Sequence, residues 1–273
     1  MDRRWLAGRE LDPRADLRLF CLPYAGGGAA VYRGWPELAP RGMQVLPLEL
    51  PGRGTRLREA PVWRLAPLIR SLADALCDAF DRPYALFGHS MGGLLAFELA
   101  RTLRRRPVRQ PAHVFLSAAA APSTPPTPPL LHCGTDDEIR QRLAELGGTP
   151  PDLLDDVELM RLMLPVLRAD FAVLETYEHR SEPPLSTPLT VLGGRSDRVV
   201  PPRALDGWRQ HTSAGSRLCL FPGGHFFLHG PTAADVLATV ARDLGGTAAT
   251  GPGAATHRTA TGLYLRHTTD RTR

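Results

Sequence analysis

Along most of this chain, short runs of apolar residues alternate with stretches of helical periodicity. The runs span 17–22, 45–50, 84–87, 113–118, 189–192 and 217–221. Each is short and mostly apolar, which suits a strand buried on both faces better than one with a wet side. Between them, 66–80, 91–104, 203–210 and 232–244 place apolar residues three and four apart, as a helix with one core-facing stripe requires. Strands alternating with helices predict an α/β class: a mostly parallel central sheet with helices on both faces.

The alternation breaks over about 122–185. A proline-rich stretch comes first, and helical signals follow. Thr135 and Glu138 have the spacing of a capping box, which opens a helix running through Glu145. The patterns over 156–164 and 166–178 read as two further helices divided by Pro165. This much helix is too long for a simple connection between strands. It is expected to form a lid over an active site, with Met160, Met163 and Leu167 lining the space beneath. The plainer reading is a helical decoration whose apolar residues pack on one another. The expected domain therefore covers 1–244. The tail, 245–273, has too little apolar surface to offset its ordering entropy and is expected to be disordered.

Composition changes this picture little. With 273 residues and 43% hydrophobic content, the chain is long enough for one large core. No apolar run reaches bilayer length, and no apolar segment follows the charged start, so a cytoplasmic protein without a membrane partner is expected. Cys21, Cys77, Cys133 and Cys219 form no C-x-x-C pair and suggest neither zinc nor a disulfide framework. All 33 basic residues are arginine, and the formal charge is +5. The tail holds Arg258, Arg266, Arg271 and Arg273 against Asp270, so the body is only weakly basic and no nucleic-acid partner is expected. Arg104, Arg105 and Arg106 read most simply as the cationic end of a helix; a dock for an acidic partner is the alternative.

Candidate chemistry concentrates just after the strands. Gly88-His89-Ser90-Met91-Gly92 is a G-x-S-x-G motif with an apolar run before it and a helical pattern after it. That context turns a weak motif into a strand-turn-helix elbow, which lifts a serine hydroxyl out of the sheet toward a base. The partners should follow later strands in the order acid, then histidine, as in the α/β-hydrolase architecture. Asp197 follows the run 189–192 through a glycine turn, and His225 follows 217–221 in the same way. Ser90, Asp197 and His225 are thus the expected catalytic triad. His89, His229 and Asp170 are weaker candidates. An oxyanion hole would use the backbone N–H of Met91 and one from the glycine-rich loop after 17–22, with Ala25 preferred over Tyr24.

Several of these segments together resemble the type II thioesterases of polyketide and nonribosomal peptide assembly lines. They are FCLPYAGG at 20–27, LPGRGTR at 50–56 and GHSMG at 88–92. LPVLRADF at 164–171, with Glu175 and Tyr177, is similar to that family's lid signature. GGRSD at 193–197 and GGH at 223–225 are similar to its acid and base motifs. The resemblance covers about 17–244. It implies an α/β-hydrolase fold and a stand-alone enzyme that hydrolyses acyl groups from the phosphopantetheine arm of acyl or peptidyl carrier proteins, clearing stalled or misprimed units. A monomer is expected, and no cofactor or metal of its own, because an activated thioester carbonyl needs only a serine triad. Arg53 lies in a family loop near the sheet edge, where it either shapes the site or pairs structurally. The rival readings are a carboxylesterase or lipase acting on free esters, an acyl-transfer or cyclising enzyme, and a non-catalytic scaffold.

Overall fold

The computed structural model describes residues 2–124 and 130–248. Six strands form the sheet: β1 (Leu17–Leu22), β2 (Met43–Pro47), β3 (Tyr84–His89), β4 (His113–Ser117), β5 (Leu189–Gly194) and β6 (Ser216–Phe221). Their spatial order is β2-β1-β3-β4-β5-β6, and every named pairing is parallel. The helices are α1 (Trp35–Leu38), α2 (Leu65–Ala75), α3 (Met91–Leu103), α4 (Asp136–Leu146), α5 (Pro151–Asp155), α6 (Val157–Glu175) and α7 (Thr232–Ala248).

Successive strand residues feed opposite layers. Phe20, Leu22, Leu86, Val114 and Leu116 pack with Leu72 of α2 and Leu95 of α3. Leu19, Cys21, Ala85, Phe87 and Phe115 pack with Trp35 and with Val236, Leu237 and Val240 of α7. Period-two alternation with both faces apolar is why these runs show no polar side in the sequence.

Some boundaries differ from the sequence expectation. The second strand ends at Pro47, although Leu48 and Leu50 stay buried. Their hydrophobicity serves packing beyond the sheet edge, which an apolar run cannot distinguish from strand. Residues 202–211 form a 3-10 helix, and its buried residues Leu205 and Trp208 lie three apart. The pattern at 66–80 ends as an α-helix at Ala75 and gives way to a 3-10 turn over Cys77–Phe80. The last helix runs past Leu244 to Ala248. Residues 249–273 of the expected tail and 125–129 of the proline-rich stretch lie outside the described residues. Among the described residues no helix is long and apolar enough to cross a membrane.

The helices α4 to α6 lie between β4 and β5. Thr135 caps α4 as the spacing implied: its Oγ1 accepts from the Glu138 N–H at 3.2 Å, and Glu138 accepts from the Thr135 N–H at 2.6 Å. The expected break at Pro165 is absent. One helix runs through it from Val157 to Glu175, since Leu164, Val166 and Leu167 are all buried and Pro165 itself is exposed. Packing on both flanks outweighs the loss of one backbone donor. Ile139, Leu143, Leu154, Met160, Leu164, Leu167 and Phe171 form a separate apolar core. Met160, expected to line a pocket, is fully buried within it.

The arginine run has internal partners. Arg104 and Arg105 both pair with Glu182, on the chain returning from the insertion, and Arg106 pairs with Asp74 of α2 at 2.6 Å. Arg101, buried one turn earlier, joins Glu182 at 2.9 Å. Arg101, Arg104 and Arg105 seat the returning segment on α3 and Arg106 ties α3 to α2, so the run has internal structural partners, with Arg105 still largely exposed.

Pro165→Ala should raise thermal stability. It restores a backbone donor in the helix interior and removes no buried packing, so a gain of about 1 kcal/mol or more is expected. Calorimetry checks this, and a lower Tm would mean that Pro165 itself stabilises the helix.

Candidate active site

The chain leaves β1 for β2 on one side and leaves β3 for β4 on the other. Loops at the C-terminal ends of β1 and β3 therefore diverge, and this opens a crevice at the reversal of strand order. Ser90 stands at its edge, between β3 and α3, with φ 54° and ψ −116°. Few residues with a side chain adopt this backbone. Its N–H donates to the Ser117 carbonyl at 2.7 Å, which pins the turn to β4. A Cβ on Gly88 would run into the Gly92 carbonyl, and one on Gly92 into the Leu22 carbonyl. The motif glycines are thus dictated by backbone meeting backbone.

The structure brings Ser90 together with the two residues expected from the later strands. His225 Nε2 lies 3.1 Å from Ser90 Oγ, and His225 Nδ1 lies 2.9 Å from Asp197 Oδ2. With Nδ1–H donating to the carboxylate, Nε2 is left to accept the serine hydroxyl proton. The other oxygen of Asp197 accepts from the Val199 and Val200 N–H groups at 2.8 and 2.9 Å. Burial opposes ionisation of Asp197, but the His225 hydrogen bond and these backbone donors outweigh it and lower its pKa. The two loops meet where a Cβ on Gly194 would strike the Gly224 carbonyl.

Of the loop after β1, the Gly26 N–H donates to Asp170 at 2.7 Å and the Gly27 N–H to the Tyr24 carbonyl at 2.9 Å. Among the described residues, the Ala25 and Met91 N–H groups have no such partner. His89 is fully buried and points away from the serine, with Nδ1 at 2.8 Å from Ser117 Oγ. Burial, reinforced by His225 and His229, holds its pKa well below the ordinary histidine value. His229 sits near the Tyr24 hydroxyl at 3.3 Å.

Asp170 has a role that the sequence did not reveal. It forms a bidentate pair with Arg53, at 2.6 and 2.8 Å, and both residues are buried. Arg53 also donates to the Gly27 carbonyl at 3.1 Å. The available signal was an acidic residue inside the apolar stripe of α6, which requires a buried partner. Two further contacts bring the insertion to the site. Leu167 lies over Gly26, and the loop between α4 and α5 places Gly148 against the ring of Phe226, next to His225.

The thioesterase domain model matches residues 17–244. The chain belongs to the thioesterase domain family. This thioesterase is 38% identical over 226 residues to the gramicidin S biosynthesis protein GrsT of Aneurinibacillus migulanus, covering 83% of this chain and 88% of that one. It is similar to the structure of the RedJ thioesterase from the prodiginine pathway of Streptomyces coelicolor, with a TM-score of 0.80 and 37% identity, covering 89% of this chain and all of that one. The type II thioesterase BorB of the borrelidin cluster gives a TM-score of 0.78 and 38% identity over 86% of this chain and 95% of that one. The protein is a serine hydrolase acting on thioesters, with the α/β-hydrolase-like fold of these relatives.

The depressed pKa of Asp197 predicts a pH signature. Its native value lies below the unfolded value of about 3.9, so its contribution to stability is complete above about pH 4 and vanishes as the pH falls through the native pKa. The stability gap between wild type and Asp197→Asn, measured by urea unfolding, should therefore narrow as the pH is lowered from 5 toward 2. A gap independent of pH would contradict an ionised, hydrogen-bonded Asp197.

Proposed function

We propose that this thioesterase releases acyl groups held as thioesters on the phosphopantetheine arm of acyl or peptidyl carrier domains. It acts as a stand-alone editing enzyme of polyketide and nonribosomal peptide assembly lines. The observation that carries this reading is the continuous relay from Ser90 through His225 to Asp197, in a chain whose relatives are named for antibiotic biosynthesis.

A thioester carbonyl is already activated, so a serine with a histidine base suffices. Ser90 Oγ attacks the carbonyl carbon while His225 Nε2 takes its proton, and Asp197 stabilises the imidazolium that forms. The tetrahedral oxyanion is met by the N–H groups of Met91 and Ala25. Its collapse breaks the C–S bond, and His225 returns the proton to the departing thiol. Water, deprotonated by the same histidine, then hydrolyses the acyl-enzyme. In this reading α4 to α6 are the lid of the acyl pocket, supported by the contacts of Leu167 with Gly26 and of Gly148 with Phe226. The enzyme works as a cytoplasmic monomer and needs no metal or cofactor of its own.

Ser90→Ala and His225→Ala should each lower kcat by several orders of magnitude, and Asp197→Asn by about 10⁴, with the fold retained. Single-turnover hydrolysis followed by intact mass of the carrier measures this; near-normal rates in either alanine variant would remove the assignment. A second comparison sets one acyl group on a carrier protein, on a pantetheine mimic and in an oxygen ester. The carrier-borne thioester should show the highest kcat/KM, because carrier surface adds binding energy. An oxygen ester that outperforms the carrier-borne thioester would instead identify a general esterase.

A further inference from the structure

We infer that Arg53 and Asp170 form a positioning pair that sets the oxyanion loop and makes its geometry depend on the seating of helix α6. The inference rests on the thioester-hydrolase reading of Ser90 given above. Three contacts tie Gly26 and Gly27, in the loop after β1, to residues distant in sequence. The Gly26 N–H donates to Asp170 Oδ2 at 2.7 Å, the Gly27 carbonyl accepts from Arg53 Nη1 at 3.1 Å, and Leu167 lies over Gly26. Arg53 and Asp170 close the circuit with two hydrogen bonds of 2.6 and 2.8 Å. One carboxylate therefore orients the peptide next to Ala25, and one guanidinium holds the following carbonyl.

Both residues are nearly excluded from solvent, at 7% for Arg53 and 1% for Asp170. A buried pair is weak evidence for stability, because the desolvation of two charges opposes their attraction. Its planar, bidentate geometry instead confers direction. What it directs is the loop carrying the proposed second oxyanion donor, where a displacement of a few tenths of an ångström weakens a hydrogen bond made in the transition state. Gly26 and Gly27 are fixed through their backbone, and Ala25 keeps its own N–H free among the described residues. Asp170 lies on α6, and Arg53 lies in the loop after β2. Chemistry at Ser90 is thereby tied to whether the insertion is docked. An acyl group that lifts α6 would lose rate even if it still binds.

The test compares Asp170→Asn, which keeps an acceptor for Gly26 but loses the charge, with Asp170→Ala and with the milder Arg53→Lys. Rates are normalised to active sites titrated to completion with a fluorophosphonate. In the alanine variant kcat for an acyl thioester should fall about ten- to a hundredfold with KM within about threefold, and Asp170→Asn should lie between it and wild type. The affinity of an alkyl trifluoromethyl ketone, whose adduct with Ser90 carries an oxyanion, should fall by the same factor as kcat. Unchanged kcat per titrated site, a rise confined to KM, or lost kcat with unchanged trifluoromethyl ketone affinity would each overturn the proposal. So would failure of all three variants, Arg53→Lys included, to form fluorophosphonate-reactive sites, since the pair would then serve the fold alone. A wild type inert toward thioesters would count against the functional reading instead, and the ketone affinities would still decide the role of the pair.

Discussion

Ser90 rests on a backbone conformation that close packing must hold from both sides. At φ 54° and ψ −116° it lies outside the regions open to most side-chain-bearing residues, at a cost of about 1–3 kcal/mol. The flanking structure offsets this. Leu86 and Phe87 before the turn, and Met91 and Leu95 after it, are fully buried, each contributing about 1.5–3 kcal/mol. The chain has to reverse within a few residues so that strand and helix both reach the core, and Gly88 and Gly92 are needed because their backbones touch neighbouring carbonyls. A half-buried hydroxyl just past the C-terminal end of β3, within reach of His225, is the consequence.

The electrostatics around that hydroxyl follow from burial matched with hydrogen bonds. Asp197 is nearly inaccessible yet stays ionised because both of its oxygens are bonded, one to His225 and one to two backbone donors. His89, whose ring centroid is 5.3 Å from that of His225, would oppose a charge on that imidazole if it were protonated. Burial holds the His89 pKa well below the ordinary histidine value, which favours a neutral ring beside His225.

The helical insertion is joined to the body by polar contacts and by the C-terminal part of α6, whose Val173 is buried in the main core. Apolar residues of α4, α5 and the first part of α6 form their own core, while Asp170 meets Arg53, Tyr177 donates to Glu98 at 2.8 Å, and Glu182 holds the arginines at the end of α3. The polar contacts have defined geometry and set one orientation, while Val173, Leu174 and Leu185 anchor the end of the insertion in the main core.

The alternation of strands and helices along the chain, the elbow, the capping box of α4 and the places of Ser90, Asp197 and His225 just past their strands were all legible in the chain. Each depends on short-range regularities: apolar runs, glycines at tight turns, and a polar residue just past a strand. The strand order, the continuity of α6 through Pro165, the internal pairing of Arg104 to Arg106 and the link from Arg53 to Asp170 were not legible. Arg53 and Asp170 are 117 residues apart, and neither has a local pattern naming the other. Local sequence sets what each segment prefers, because backbone sterics and side-chain periodicity act over a few residues. Which buried charge meets which, and whether a proline ends a helix, is decided by the packing of elements distant in sequence, where desolvation and contact energies outweigh local preference.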